Sequence, residues 1–365
     1  MIDTFDAPRL RRIGLSALMQ QRLGRLEPGD AQPMRITEVQ RDALHLHDGE
    51  CERPARALPA LLSELALRSD ALAVGDWVLA RPGTSAEWWV SERVQPVTQI
   101  ARRLHDGRSK VARAVIVSNV DTALLVMGLD HDFNPRRLER YLALARLAGV
   151  GAVVVLTKAD LCPDVPARLS AVQALVPPGG AAVAVDATSD APGTVLAPWL
   201  AEGQTLALLG SSGAGKSTLT NSLLGATVQL TGAVRKGDAR GRHTTSSRSL
   251  HRLPGGACVI DTPGLRTLRL DGEEDGIAAM FDDIAALAGS CRFRDCAHED
   301  EPGCAVRDGI APDRLRNFHK LLREARRDTL SALQRREQLA VWKQRSRAAR
   351  EVVRGKHGWA EGPDG

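Results

Sequence analysis

Gly210-Ser211-Ser212-Gly213-Ala214-Gly215-Lys216-Ser217-Thr218 is the stretch that decides the fold. It follows the apolar run Thr205–Leu209 and precedes Leu219-Thr220-Asn221-Ser222-Leu223-Leu224, which reads as the start of a helix. A glycine-rich turn between a buried strand and a helix lets backbone N–H groups wrap phosphate oxygens, and the helix N-terminus adds its positive end. Lys216 is then placed to reach the β and γ oxygens of a nucleotide, and Ser217 to bind Mg²⁺. Working outward, the same texture recurs. Thr122–Met127, Ala152–Leu156, Ala182–Val185 and Cys258–Ile260 are further apolar runs. Between the first two, Asn134 caps a helix that runs through Leu147, with Pro135 at its first position. Continuous apolar strands alternating with helices predict a mostly parallel sheet covered on both faces. Such sheets bind ligands beyond the carboxyl ends of their strands.

Two more motifs sit at those ends. Thr157-Lys158-Ala159-Asp160 follows the second run, and Asp261-Thr262-Pro263-Gly264 follows the last. The Asp160 carboxylate can accept both the N1–H and the exocyclic amine of guanine, a donor pair that adenine lacks. Lys158 would lie along the base plane. Asp186-Ala187-Thr188, after the next run, can offer a backbone N–H to guanine O6. Asp261 would hold Mg²⁺ through water, and the Gly264 N–H could meet a γ-phosphate. The polar segment Arg235–Ser246 holds His243, Thr244 and Thr245; a threonine hydroxyl there, Thr245 before Thr244, would complete the Mg²⁺ shell and order the segment. The base-reading motif precedes the phosphate loop, whereas in an ordinary GTPase it follows. The same parts in rotated order imply the same site with relocated chain ends.

The flanks differ in kind. From Met34 to about Ile116 the chain alternates short β-like runs and turns, such as Met34–Val39, Asp76–Ala80 and Glu87–Val90, which predict a small barrel or sandwich. Cys51–Asp70 reads as a loop and helix inserted in it. After Leu270 comes Cys291-x4-Cys296-x-His298-x5-Cys304, three thiolates and an imidazole suited to a closed tetrahedral Zn²⁺ site with no open position for water. Residues 312–357 then carry fourteen Lys/Arg against five Asp/Glu, and Arg102, Arg103, Arg108, Lys110 and Arg113 form a second basic cluster. Such patches suit a polyanionic partner. The whole chain has 365 residues, 43% apolar and 25% charged, with a net charge of +5. These values fit a soluble globular protein of two or three domains. No apolar run approaches the ~20 residues of a membrane span, and Met1–Leu10 lacks the apolar core of a secretory signal. The expected address is the cytoplasm.

Taken together, these residues resemble the circularly permuted, small-ribosomal-subunit-dependent GTPases of bacteria, the RsgA (YjeQ) family. The carriers are the permuted order, the phosphate loop, Gly241-Arg242-His243-Thr244-Thr245, Asp261–Gly264 and the Cys/His cluster. The resemblance spans about residues 34–345. It implies an N-terminal OB-fold barrel (34–116) behind an extension (1–33), a central GTPase domain (117–272), a zinc-binding and basic helical domain (273–355) and a disordered tail (356–365). It further implies a monomer, Mg²⁺ dependence, one structural Zn²⁺, GTP hydrolysis stimulated by the 30S subunit, contact with 16S rRNA and a role in late 30S maturation. Two departures stand out. The family usually has Asn where this chain has Thr157, whose hydroxyl can still hold the phosphate-loop backbone. The threonine run after His243 is interrupted by Ser246, which retains a hydroxyl. Apart from these departures, Leu265 stands where many GTPases carry a water-orienting glutamine, so activation needs outside help, and His243 becomes the candidate for that task. Competing readings are a phosphate-loop ATPase or kinase, and a zinc-bearing RNA-binding protein whose nucleotide site regulates rather than hydrolyses.

Overall fold

The computed structural model describes residues 5–40, 43–84, 87–105, 111–225, 248–262, 277–278 and 281–329. Its spine is an 11-stranded sheet, and two further strands form a separate ribbon. The strands are β1 (Gln32–Gln40), β2 (Ala43–His47), β3 (Glu52–Ala57), β4 (Trp77–Pro82), β5 (Trp88–Arg93), β6 (Gln99–His105), β7 (Val111–Ser118), β8 (Thr122–Gly128), β9 (Gly151–Thr157), β10 (Ala181–Ala184), β11 (Thr205–Gly210), β12 (Ser249–Arg252) and β13 (Cys258–Asp261).

The nucleotide half has the order β10-β9-β8-β11-β13-β12. The first five are parallel, as their unbroken apolar sequences predict, with registers such as Leu124↔Val153 and Leu208↔Leu124. The sixth strand, β12, is antiparallel and was not legible as a strand from its Ser-Leu-His-Arg sequence. Side chains alternate onto the two faces and close two cores. One gathers Leu125, Met127, Val154 and Leu156 with Leu138, Tyr141 and Leu142 of the helix Pro135–Leu147. The other gathers Leu124, Val126, Leu206 and Leu208 with Leu219 and Leu223 of the helix Lys216–Leu224. Asn134 caps the first of these helices by accepting from Arg137 N at 3.0 Å, with Pro135 following it, as expected.

The N-terminal strands close on themselves in the order β1-β2-β3-β5-β4-β1, a five-stranded OB-type barrel filled by Met34, Ile36, Leu46, Val78, Ala80 and Val90. Two expectations need correction here. The barrel is complete by Arg93, while β6 and β7 form a separate antiparallel ribbon, bridged to the barrel side by the pair Val74↔Val117, rather than extending the barrel to residue 116. The stretch Cys51–Asp70 contains a barrel strand, β3, before its helix Pro59–Leu67. Pro54 and two arginines hid that strand, because Glu52-Arg53-Pro54-Ala55-Arg56-Ala57 buries only Ala55 on the barrel side. The first residues are also part of the fold. Leu10, Ile13, Leu15, Met19 and Leu23, from the helices Ala7–Arg11 and Ala17–Leu23 and their link, pack on Trp77 and Val94.

The barrel joins the nucleotide half through β1 and β12, where Glu38 pairs with Ser249. At the same junction lies Arg35, fully buried. It donates to four carbonyls and one hydroxyl: Ile13 O (2.5 Å), Gly14 O (3.1 Å), Gly75 O (3.3 Å), Asn119 O (3.0 Å) and Thr205 Oγ1 (2.8 Å). Gly14 has φ +83°, and a Cβ there would run into Arg35 Nη1, so only glycine fits. Among the described residues, no helix is long and apolar enough to cross a membrane.

Candidate nucleotide site and metal centre

The strand order changes direction around β8. The chain runs outward through β9 and β10, then crosses back to place β11 on the other side of β8. A crevice at such a switch point is where open α/β sheets bind ligands. Three of the sequence motifs meet there. Thr157–Asp160 leaves β9, Gly210–Thr218 leaves β11, and Asp261 ends β13.

The contacts between them are direct. Thr157 Oγ1 donates to Ala214 O at 2.6 Å, the hydroxyl contact expected where the family has asparagine. Gly215 takes φ +90°, a conformation that favours glycine, and its α-carbon faces Thr157 so closely that a Cβ would sit 3.1 Å from Oγ1. Lys158 is held at φ +60°, unusual for a residue with a side chain. That backbone lets its Nζ reach Gly213 O at 2.8 Å and Asp130 Oδ2 at 2.7 Å. Ala159 and Asp160 form a single 3₁₀ turn, with Asp160 exposed at the strand end. Asp186 is turned back on its own loop, accepting from Thr188 N (2.8 Å) and Thr188 Oγ1 (2.6 Å), and Ala187 beside it is buried.

In the phosphate loop, Ser212 and Gly213 are exposed, Ala214 is buried, and Ser217 and Thr218 are half-buried at the start of the helix Lys216–Leu224. Lys216 is buried, its Nζ donating to Gly210 O (3.0 Å) and Ser211 O (2.8 Å). Burial lowers its pKa, while the charges of Asp261 and Asp132 oppose that shift. Burial raises the pKa of Asp261, opposed by Lys216. Each charge therefore needs the other in this poorly hydrated corner. Asp261 Oδ1 is buried without a hydrogen-bond partner, an orphaned acceptor of the kind that a cation shell satisfies. The oxygen donors of Ser217 and Asp261 fit Mg²⁺, a hard cation. The neighbouring Thr262 is tied to Leu208 O on β11 through its hydroxyl. His243, Thr244, Thr245, Ser246, Pro263, Gly264 and Leu265 lie outside the described residues.

Two residues at this crevice went unnoticed in the sequence. Asp130 and Asp132 sit on the loop that leaves β8, and Ser211 Oγ donates to Asp132 Oδ1 at 2.6 Å. The rule that singled out the other motifs, a polar residue directly after a buried strand, would also have flagged them.

The second centre is the Cys/His cluster. Ligand atoms of Cys291, Cys296, His298 and Cys304 all lie within 4.8 Å of one another. Cys291 Sγ and Cys304 Sγ are 4.0 Å apart, and they lie 3.6 Å and 3.5 Å from His298 Nδ1. A tetrahedron with Zn–S of about 2.3 Å and Zn–N of about 2.0 Å has S–S edges near ~3.8 Å and S–N edges near ~3.5 Å. The spacings match those edges, so the donor set fits one structural zinc ion. Two helices that follow the knot, Ala305–Gly309 and Pro312–Thr329, contact it. Arg307 N donates to Cys304 Sγ at 3.3 Å, and His319 Nε2, on the helix Pro312–Thr329, lies 3.2 Å from His298 O.

The RsgA GTPase family model matches residues 97–271, starting just before the β6–β7 ribbon and ending past β13. A protein of Xylella fastidiosa (strain 9a5c) named small ribosomal subunit biogenesis GTPase RsgA is 46% identical over 295 residues, covering 79% of this chain and 84% of that protein. The protein of that name from Xanthomonas campestris pv. campestris (strain B100) is 44% identical over 301 residues, 80% of each chain. The chain belongs to the RsgA GTPase family. Two solved structures share the fold. The crystal structure of YjeQ from Thermotoga maritima aligns with a TM-score of 0.56 at 22% identity, over 81% of this chain and 98% of that one. The structure of YloQ, described as a circularly permuted GTPase, aligns with a TM-score of 0.55 at 20% identity, over 83% and 98%. In this RsgA-family chain the rotated motif order thus belongs to a known circular permutation.

Proposed function

We propose that this chain hydrolyses GTP to GDP and phosphate in the biogenesis of the small ribosomal subunit. The observation that carries the reading is the tie between the base-reading strand and the phosphate loop, Thr157 Oγ1 to Ala214 O and Lys158 Nζ to Gly213 O. It makes one continuous cradle from the Asp160 carboxylate to Lys216. Asp160 accepts from the guanine edge, Lys158 covers the base plane, and the Ala187 segment faces guanine O6. The loop backbone from Ser211 to Thr218 wraps the phosphates, and Lys216 meets the β and γ oxygens where charge develops during transfer. Ser217, Thr245 and Asp261 would hold Mg²⁺, which would neutralise part of that charge. The Gly264 N–H meets the γ-phosphate. With Leu265 unable to orient water, His243 takes that task when the partner is bound.

The partner of this reading is the 30S subunit and its 16S rRNA, gripped by the barrel and by the basic C-terminal region that begins with the helix Pro312–Thr329. The GTP-bound state sets the affinity, and the protein acts as a cytoplasmic monomer late in assembly. A structural zinc would hold the lobe that carries that region. A phosphate-based grip brings a steep salt dependence. The test is GTP turnover with and without 30S subunits, with ATP as control. Stimulation confined to GTP and to the small subunit is expected. Turnover of ATP as fast as GTP, or indifference to the subunit, would overturn the assignment.

A further inference from the structure

Because β8 lies between β9 and β11, the loop leaving its carboxyl end is flanked by the base-reading turn on one side and the phosphate loop on the other. Two aspartates of this loop engage both neighbours. Asp130 Oδ2 accepts from Lys158 Nζ at 2.7 Å, and Asp132 Oδ1 accepts from Ser211 Oγ at 2.6 Å. Asp132 N donates to Asp130 Oδ1 at 3.0 Å, and Gly128 N donates to Asp132 Oδ2 at 3.2 Å, so the two carboxylates are fixed relative to each other and to the strand end. Burial alone would raise the pKa of Asp130, but the Lys158 hydrogen bond and the Asp132 N–H bring it below the usual carboxylate range.

The same loop is tied to the Cys/His lobe. Arg137, in the first turn of the helix Pro135–Leu147, donates to Asp132 Oδ1 at 2.6 Å. Its neighbours on that helix grip the helix Pro312–Thr329. Arg136 Nε meets Asp313 at 2.7 Å, Asn317 Nδ2 donates to the buried Glu139 at 2.5 Å, and Arg140 takes Glu324 with both nitrogens at 2.5 and 2.9 Å. Arg314 bridges Glu139 and Asp283. His319 of the same long helix touches His298 O. Polar and ionic contacts, joined by the backbones of the two helices, therefore run from Ser211 and Lys158 to a candidate metal-ligand residue.

We propose that Asp130 and Asp132 are positioning residues for guanine-nucleotide binding, and that their loop with the helix Pro135–Leu147 is the strut through which the nucleotide site sets the seat of the Cys/His lobe. The proposal rests on reading residues 210–218 as a guanine-nucleotide site. Asp130 acts through Lys158, on the base. Asp132 acts through Ser211, on the loop that wraps the phosphates. Coupling of this kind is reciprocal, so whatever nucleotide does to the strut, the lobe does to nucleotide affinity.

The test uses the full-length, zinc-loaded protein. Fluorescent GDP is titrated into wild type, Asp130→Asn, Asp132→Asn, Ser211→Ala and the Ser211→Ala/Asp132→Asn double variant. Losing a hydrogen bond to a charged group predicts affinity weakened roughly tenfold or more in each aspartate variant. The double variant should be no weaker than Asp132→Asn alone, because both changes break one contact. In turnover, Asp130→Asn should raise KM and leave kcat near wild type, whereas Asp132→Asn should lower kcat too. Hydrogen exchange of residues 312–329 reads the strut. GDP should slow it in wild type, and the effect should vanish in Asp132→Asn and Glu139→Gln. Wild type that fails to bind GDP would overturn the nucleotide reading itself. Wild type that binds GDP with variants equal to it, or with additive losses from Ser211→Ala and Asp132→Asn, would overturn the positioning role alone. Exchange in that helix indifferent to GDP in wild type would overturn the strut.

Discussion

Where the barrel meets the GTPase domain, a buried guanidinium is set into the junction beside apolar contacts such as Val39 and Val74. Arg35 is buried among carbonyls of the N-terminal segment, the barrel and the linker, with the Thr205 hydroxyl at the foot of β11, and a sheet register runs across through Glu38 and Ser249. Where the Cys/His lobe meets the same domain, the interior is mainly apolar around one buried carboxylate, Glu139, and the rim is ionic. Phe281, Leu315, Phe318 and Leu321 share one core with Leu138, Tyr141 and Leu142, while Arg136–Asp313 and Arg140–Glu324 lie around it, part-exposed. The materials imply different behaviour. A guanidinium that satisfies five acceptors at once is satisfied in a single geometry. An apolar patch with salt bridges at its edge can slide by a fraction of an ångström at little cost. The barrel is therefore built as a fixed extension of the nucleotide domain, and the lobe as the part that can be re-seated.

The sharpest way to break that contrast is to dismantle the lobe and ask whether the rest survives. Replacing Cys304 by serine removes one of four ligands. Structural zinc contributes on the order of 10 kcal/mol to small lobes of this type. The expected outcome is protein with far less than one zinc per chain and rapid proteolysis after residue 281, yet with an intact barrel and nucleotide domain by hydrogen exchange. Loss of the whole fold would mean the lobe is integral rather than appended.

Next in size is Arg35→Met at the rigid junction. It strands four carbonyls and a hydroxyl in a dry interior, for an expected loss of about 3–5 kcal/mol in denaturant unfolding. A loss below about 1 kcal/mol would show that water replaces the guanidinium there.

Asp76 sharpens the same junction through pH. Burial raises its pKa to about 6 from 3.8, against the opposing pull of Arg93 3.9 Å away. The folded state thus holds this proton more tightly than the unfolded chain does. Its contribution to stability is complete below the unfolded value of 3.8 and is lost as pH rises through about 6. The shift corresponds to at most roughly 3 kcal/mol. Asp76→Asn should flatten the fall in stability over that window, measured by urea unfolding at a series of pH values. An unchanged slope would assign the titration elsewhere.

The smallest effect belongs to the lobe's ionic rim. Asp313→Ala removes an acceptor that is 54% exposed and leaves Arg136 its buried partner Glu139, so the expected cost is about 1 kcal/mol or less and should fade as salt is raised. A larger, salt-independent cost would mean that the rim is held as rigidly as Arg35.

The sequence by itself determined the nucleotide domain. Its buried parallel strands are apolar on both faces, so they appear as unbroken runs, and glycine-rich or charged residues at their ends have few other uses. The Cys/His knot was equally legible, because four ligands at short spacing leave little choice of geometry. What failed to show were the elements whose meaning depends on distant partners. β3 and β12 carry charged or polar residues because each has only one side against a core. The β6–β7 ribbon has strand-like sequence, and nothing local says that it leaves the barrel. Arg35 reads as an ordinary charged residue on a strand until Gly14 and Thr205, 21 and 170 residues away, are brought beside it. Asp130 and Asp132 become part of the site only because β8 ends up between β9 and β11. Local spacing and hydropathy can encode strands, turns and ligand clusters, but which strand lies beside which is fixed by the packing of the whole sheet, and that packing decides which polar side chains meet.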